Sequence, residues 1–171
     1  MISLAILGFP LSSASAEKDA RPDVPAAIQA GAGEDVVLLA HASGSQIYSC
    51  QTAADGKFNW TLKAPEAELA DQAGKVIGAH FAGPTWRYED GSEVTGKAVG
   101  NVSSPETDSI PWLLVKAVDH SGNGMLTKVT TIQRVHTQGG KPPAAGCDES
   151  HRGSETKSHY TADYYFYAPA K

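Results

Sequence analysis

Glycine and proline divide this chain into many short apolar runs, and that spacing most constrains what it can fold into. Gly occurs 17 times and Pro 10 times among the 171 residues. Residues 57–63 alternate strictly, with Phe58, Trp60 and Leu62 on one side and polar residues on the other. This is the pattern of a half-buried strand, and no long run shows the periodicity of a helix. The sequence therefore predicts an all-β protein.

The turn signals between the apolar runs predict about nine to ten short strands, a number typical of an antiparallel sandwich or barrel. The most apolar run, residues 110–118, predicts a central strand, and residues 138–159 predict a long loop. The predicted strands cover residues 36–40, 46–51, 57–63, 66–71, 75–81, 85–89, 93–99, 110–118, 126–137 and 160–168.

The start of the chain predicts export. An apolar run is followed by the small residues Ala14-Ser15-Ala16, which fit the cleavage rule of signal peptides, although no Lys or Arg precedes the run. The run is too short to span a membrane, and no later segment is long enough, so no transmembrane segment is predicted. We therefore expect a secreted or periplasmic protein with a signal peptide at 1–16, an exposed leader at 17–35 and a single β domain at 36–171.

The two cysteines, Cys50 and Cys147, predict one disulfide, because thiols in exported proteins are usually oxidised. The alternative is a pair of buried free thiols. In the chain-entropy description, closing a loop of this size stabilises the fold by roughly 4 to 5 kcal/mol. The bridge would tether the long predicted loop to the strand that contains Tyr48.

The charge pattern excludes several classes of partner. The net charge is −5, and the 14 Lys and Arg residues are scattered along the chain. A nucleic-acid-binding protein usually concentrates basic residues on one face, and so does a protein that binds anionic membranes. Gly31-Ala32-Gly33 lacks the third glycine and the preceding strand of a dinucleotide-binding turn. We therefore expect no nucleic acid and no cofactor.

Several long stretches, in order along the chain, resemble a known family. The resemblance covers about residues 36–168 and identifies the chain as similar to domain-of-unknown-function family DUF3455, a set of secreted bacterial and fungal proteins. It implies an exported β domain with cysteines matching Cys50 and Cys147, and it implies no activity. The matching stretches are SQIYSC at 45–50, GAHFAGPTWRYED at 78–90, IPWLLVKA at 110–117, TTIQRV at 130–135, GGKPPAAGCD at 139–148 and residues 160–168.

His80 is the best candidate for acid–base chemistry. The bend at Gly83-Pro84 would let His80 and Trp86 flank one cleft, with Asp90 and Arg134 as neighbours. The alternative is that His80 is a hydrogen-bonded structural histidine and that Trp86 is a core aromatic.

The long loop offers a candidate metal site. Asp148, His151 and His159 are residue types that bind zinc or another divalent ion, and the alternative is a solvated polar loop. Aromatic residues suggest a ligand-binding surface, with Trp86, Tyr165 and Tyr167 as candidates, because exposed rings stack on apolar ligand faces. The alternative is that these rings fill the core.

No nucleophile elbow or zinc-protease motif occurs, so the sequence names no reaction. The leading hypothesis is a non-enzymatic module that binds a small molecule, a carbohydrate or an envelope component. The rival hypothesis is a small extracytoplasmic hydrolase-like enzyme, in one version metal-assisted, that uses His80 or the loop at 148–159.

Overall fold

The computed structural model describes residues 20–171, and the predicted signal peptide at 1–16 lies outside this range. Residues 34–169 form eight strands that close into one barrel. Each strand is antiparallel to both of its neighbours, and the last strand pairs with the first. The strands are β1 (Glu34–Thr52), β2 (Phe58–Ala70), β3 (Val76–Phe81), β4 (Thr85–Tyr88), β5 (Glu93–Val102), β6 (Trp112–Ser121), β7 (Thr131–Gly139) and β8 (Glu155–Pro169).

The barrel confirms the all-β antiparallel prediction, although the described strands number eight rather than nine or ten. The predicted strands at 36–40 and 46–51 are one strand, because Gly44 continues β1 instead of turning the chain. A Cβ at this position would lie 2.2 Å from the carbonyl oxygen of Glu66 on β2. The glycine therefore serves the close approach of two long strands, a role that glycine also has in strand interiors. The predicted strands at 57–63 and 66–71 likewise form the single strand β2.

The predicted strand at 126–137 is wrong at its start. Met125–Lys128 forms a short 3₁₀ helix, and β7 begins only at Thr131. The long loop is shorter than predicted, because β8 begins at Glu155 and its first residues pair with β1.

Alternate residues of every strand point into the barrel, where their side chains form the main core. The register places Trp86 opposite both His80 and Val94, and Phe166 opposite Ile132. An interior of eight strands is just wide enough to be filled by side chains or to hold one small ligand. The buried members of this core include Ala40, Ala42, Leu69, Trp86, Val94, Val115, Ile132, Tyr160, Tyr164 and Phe166.

A second apolar cluster lies outside the barrel, beneath the N-terminal segment. A 3₁₀ helix at Ala26–Ile28 packs on this side, and Ile28 is completely buried. The Gln133 side-chain amide donates a hydrogen bond of 2.6 Å to the Ile28 carbonyl. The end of the predicted leader therefore packs against the domain. The cluster consists of Ile28, Ala30, Val36, Val135, Tyr165 and Tyr167, with Trp112 and Leu114 partly buried against it.

The predicted disulfide is confirmed. Cys50 on β1 and Cys147 are bonded, with their Cα atoms 5.3 Å apart. The Trp60 indole N–H donates to the Ala145 carbonyl at 3.0 Å, which fixes the same loop to β2. Within residues 20–171, the structure has no helix with both the length and the hydropathy needed to cross a membrane.

Candidate functional site

A cavity of about 630 Å³ occupies one end of the barrel. Its volume lies within the roughly 300–1,000 Å³ that small-molecule sites span. Five of its lining side chains are polar and buried or nearly so, whereas the others are apolar, glycine or lysine. The lining residues are Gln46, Leu62, Lys63, Ala64, Pro65, His80, Gly83, Pro84, Trp86, Gly96, Lys97, Ala98, Leu113, Val115, Val118, Arg134 and Tyr164.

The β3–β4 hairpin brings His80 and Trp86 together. The two residues are direct cross-strand partners, and their rings stack with centroids 4.4 Å apart and planes 9° apart. Tyr164 packs edge-on against both rings, at centroid distances of 5.1 and 5.5 Å. Only 3% of His80 and 1% of Trp86 are exposed. The pair forms a rigid aromatic wall at the inner end of the cavity.

The glycine at position 96 makes room for this wall. A Cβ on Gly96 would lie 2.4 Å from Cγ1 of Val115 and 3.3 Å from the Trp86 ring. No other residue type fits without moving one of these neighbours, because packed interiors leave no spare volume. Gly96 therefore determines where the Trp86 ring sits against β5.

His80 is held neutral. Its Nδ1–H donates to the Thr85 carbonyl at 2.9 Å, and a carbonyl only accepts, so Nδ1 carries the proton. Burial lowers the pKa of His80 to about 3; the Thr85 hydrogen bond opposes this effect, and the positive charge of Arg134 adds to it. A base this weak is poorly matched to general-base catalysis at neutral pH. The geometry suits His80 as a neutral, ordered wall of the cavity.

Arg134 is the charged group at the inner end. The register pairs it with Leu113 on one side and Tyr164 on the other, and only 9% of the residue is exposed. Its Nε and Nη2 atoms donate to the Pro111 carbonyl at 3.1 and 2.8 Å. Among residues 20–171, no carboxylate forms an ion pair with it. This arrangement is unusual, because buried charges in proteins are normally paired.

The tyrosines around Arg134 are neutral as well. Burial raises the pKa of Tyr48, Tyr160 and Tyr164, and the nearby guanidinium only partly offsets that effect. The Tyr160 and Tyr164 hydroxyls lie 3.4 Å apart, and the Tyr48 hydroxyl donates to the Gly140 carbonyl at 2.6 Å. The guanidinium is therefore surrounded by neutral groups.

Two further buried polar atoms of the lining residues have no hydrogen-bond partner within the described chain: Oε1 of Gln46 and Nε1 of Trp86. Gln46 is 2% exposed. A buried polar atom without a partner costs roughly 1–3 kcal/mol, so such atoms are rare and call for an explanation. Both residues line the same cavity as Arg134.

The outer part of the cavity is apolar with a basic rim. Leu62 and Val118 are 53% and 61% exposed, which places apolar surface at the open end. Lys63 and Lys97 line the rim, and Lys63 forms an ion pair with Glu155. No acidic residue of the described chain lines this cavity.

Of the residues proposed for acid–base chemistry, the structure brings His80, Trp86 and Arg134 into one cavity and leaves Asp90 out. The Asp90 carboxylate instead orders the β4–β5 turn, accepting from Ser92 N and Oγ and from Met125 N at 2.6 to 2.9 Å. These hydrogen bonds hold the pKa of Asp90 below its usual value, the bond from the Ser92 side chain being the largest cause. The prediction of Asp90 rested on its nearness in sequence, but it lies four residues after Trp86, beyond the end of β4 and in the turn that leads to β5.

The two tyrosines predicted as ligand contacts lie outside the barrel. Tyr165 and Tyr167 belong to the outer cluster, and the Tyr167 hydroxyl donates to Oε1 of Gln133. The alternation of β8 points Tyr164, rather than its neighbour Tyr165, into the barrel.

Of the three predicted metal ligands, only Asp148 and His151 are in contact, and no third ligand from the described part of the chain joins them. The Asp148 carboxylate caps the 3₁₀ helix at Glu149–His151 and contacts Nδ1 of His151 at 2.7 Å. His159 lies on β8, paired with Ser45. Across residues 20–171, no group of three or more His, Cys, Asp or Glu residues is placed to hold a metal ion.

Sequence reasoning missed Gln46, Tyr164 and Lys97 as cavity residues. The alternating pattern at 160–168 carried a signal for Tyr164, because it divides the tyrosines between two faces. Nothing in the sequence says which face closes on the inside of a barrel.

Together, the fold and the cavity define a small antiparallel barrel of up-and-down topology with one open, mostly apolar end. The family model described as "Protein of unknown function (DUF3455)" matches residues 31–168, and the chain belongs to that family. No curated protein and no solved structure gives a significant match.

Proposed function

We propose that this protein is an exported binding module that takes a small, largely apolar molecule into the open end of its barrel. The observation that carries the proposal is the cavity of about 630 Å³, with an apolar outer part and a few ordered polar groups at its inner end. That combination is the usual make-up of small-molecule sites, and barrel mouths are among their common locations.

The cavity favours an apolar small molecule over a carbohydrate. A sugar-binding surface presents an exposed aromatic face, whereas Trp86 is 1% exposed and its three ring neighbours, His80, Tyr164 and Phe166, are also buried. The exposed apolar residues Leu62 and Val118 lie at the open end, where they would contact the outer part of a ligand.

Export is part of the proposal. The disulfide between Cys50 and Cys147 supports it, because such bonds persist in oxidising compartments. The apolar run followed by Ala14-Ser15-Ala16 supports a secretory signal peptide.

The enzymatic alternative receives less support. It required His80 as a base or the loop at 148–159 as a metal site. The pKa of about 3 makes His80 a weak base, and the histidines and carboxylate of the loop are not grouped.

The test is a fluorescence titration with N-phenyl-1-naphthylamine, a neutral probe whose emission rises in apolar sites. Ala98 lines the cavity on β5, and Val99 beside it is 56% exposed and does not line it. We compare Ala98→Trp, which places a large ring at the exposed mouth of the cavity, with Val99→Trp, which adds the same ring outside it.

We expect saturable binding to the wild type and to Val99→Trp, and at least about a tenfold loss with Ala98→Trp, since one indole fills much of a site of this size. No saturable binding to the wild type, or equal binding to both variants, would show that the barrel interior is not the binding site.

A further inference from the structure

We infer that the ligand carries an anionic head group of the carboxylate type, which binds Arg134 at the inner end while the apolar body extends toward Leu62 and Val118. This inference rests on the proposed function and specifies the chemistry of the molecule that the cavity accepts.

The charge of the lining residues is the first reason. Three basic residues, Lys63, Lys97 and Arg134, line the cavity, and no acidic residue of the described chain does. The whole chain has 19 Asp and Glu against 14 Lys and Arg, whereas every charged residue of the lining is basic. The charge of the lining therefore differs in sign from the net charge of the chain. Low-dielectric walls of one charge sign concentrate a ligand of the opposite sign.

The surroundings of Arg134 are the second reason. The groups that meet its guanidinium are neutral: the Pro111 carbonyl accepts from one edge, and the Tyr164 hydroxyl is un-ionised because burial raises its pKa. His80 adds no competing positive charge, since its pKa of about 3 keeps it neutral at physiological pH. Arg134 is nine-tenths buried and has no counter-ion within the described chain. A ligand carboxylate would supply that counter-ion, because its two oxygens match the planar donor geometry of a guanidinium.

The unpaired polar atoms near Arg134 are the third reason. Nε1 of Trp86 is a donor only and is enclosed, so a carboxylate oxygen would satisfy it once a neighbouring side chain moves to admit the ligand. The unpaired Oε1 of Gln46 is an acceptor and does not bind a carboxylate oxygen, so only the amide nitrogen of Gln46 is able to donate to the head group. Trp86, Gln46 and Arg134 all line this one cavity.

The gradient of exposure sets the orientation. The polar groups at the inner end are 1% to 9% exposed, whereas Leu62 and Val118 at the open end are more than half exposed. A head group at the inner end would leave the distal part of an apolar chain beside the side chains of Leu62 and Val118. Lys97 at the rim would add attraction during entry, because rim charges act mainly on association.

The experiment compares two molecules with the same apolar chain, octanoate and octan-1-ol, as competitors of N-phenyl-1-naphthylamine at neutral pH. We measure the ratio of their inhibition constants for the wild type, for Arg134→Gln and for Arg87→Gln. Arg87 lies on β4 directly after Trp86, is exposed and pairs with Glu93, so its replacement removes the same charge from the outer face.

For the wild type, we expect octanoate to bind roughly ten- to a hundredfold more tightly than octan-1-ol, the range set by hydrogen bonds to charged groups. Arg134→Gln should bring the ratio to about one through loss of octanoate binding alone, with octan-1-ol unaffected, and Arg87→Gln should preserve the wild-type ratio. If Arg134→Gln fails to fold by near-ultraviolet circular dichroism, the exposed rim variant Lys97→Gln takes its place, with an expected loss for octanoate of about two- to fivefold.

Equal affinity of the wild type for both competitors overturns the anionic head group and leaves the binding module standing. A full preference for octanoate in a folded Arg134→Gln variant, or an equal loss in Arg87→Gln, overturns the placement at Arg134. If Lys97→Gln is the variant used and its ratio equals that of the wild type, the basic lining does not select the ligand and the inference is wrong. Failure of the neutral probe to bind at all would overturn the proposed function itself.

Discussion

Acid should destabilise this protein through His80, and the size of the effect follows from its burial. The pKa of His80 is about 3 in the folded protein, against 6.5 for the free side chain. Between these two values the unfolded chain binds a proton that the folded chain does not, so stability falls as the pH decreases. The contribution of neutral His80 is therefore fully present above pH 6.5 and is lost as the pH falls toward 3.

Each pH unit in that window costs about 1.4 kcal/mol, so lowering the pH to about 4.5 should remove roughly 2 to 3 kcal/mol from the free energy of unfolding. The assay is urea denaturation at about pH 7.5 and about pH 4.5, with wild type and His80→Phe in parallel. Phe keeps a ring against Trp86 and does not titrate. On acidification, the free energy of unfolding of the variant should therefore fall by roughly 2 to 3 kcal/mol less than that of the wild type. The lost hydrogen bond to Thr85 lowers its stability at both pH values and cancels in the difference.

Carboxylates also gain protons as the pH falls, and the comparison of wild type with His80→Phe cancels their contribution to the change in stability. Hydrogen bonds from Ser150 and His151 lower the pKa of Asp148 to about 2. The stability that ionised Asp148 contributes is therefore present above its unfolded pKa and is lost as the pH falls from that pKa toward 2. This group is unchanged in the variant. The reasoning is refuted if wild type and His80→Phe lose equal stability between the two pH values. A His80 imidazole that titrates near pH 6.5 in a nuclear magnetic resonance experiment would refute it independently of the variant.

Three further substitutions test the packing. Cys147→Ser opens a loop with a sequence separation of 97, which is worth about 4 to 5 kcal/mol and should lower the melting temperature by at least about 8 °C; an unchanged melt would contradict this. Gly96→Ala should destabilise by about 1–3 kcal/mol and shift the Trp86 fluorescence, because its Cβ meets Val115 and the Trp86 ring; a neutral result would mean a loosely packed wall. Trp112→Ala should cost roughly 1.5–3 kcal/mol in urea denaturation, because Trp112 packs on the outer cluster, and a loss below about 0.5 kcal/mol would place it in solvent.

Much of the fold was predictable because strands and turns leave local signals. The strict alternation at 57–63 predicted the first half of β2, and two cysteines in a chain with a predicted export signal indicated the disulfide. The errors arose where one residue has two roles. The break predicted between residues 40 and 46 is absent, because Gly44 lies within β1 and permits the close approach of β2.

The candidate site was less predictable because its lining residues come from all eight strands. His80 and Trp86 were found since a short hairpin joins them. Gln46 and Arg134 lie far apart in sequence and meet only because the barrel closes. Tyr165 and Tyr167 are proposed from the sequence as exposed ligand contacts, whereas they are buried in the outer cluster and Tyr164 lines the cavity; period-two alternation defines two faces without saying which one is enclosed.

The most direct test of the central claim is a titration of the isotopically labelled protein with octan-1-ol, followed by nuclear magnetic resonance of the tryptophan indole N–H signals. The chain has three tryptophans, and Trp86→Phe assigns the signal of the one that lines the cavity. We predict a saturable shift of the Trp86 signal, with the Trp112 signal unchanged because Trp112 packs on the outer cluster and does not line the cavity. A Trp86 signal that stays fixed throughout, or shifts no more than that of Trp112, would contradict the proposal that the barrel encloses an apolar ligand.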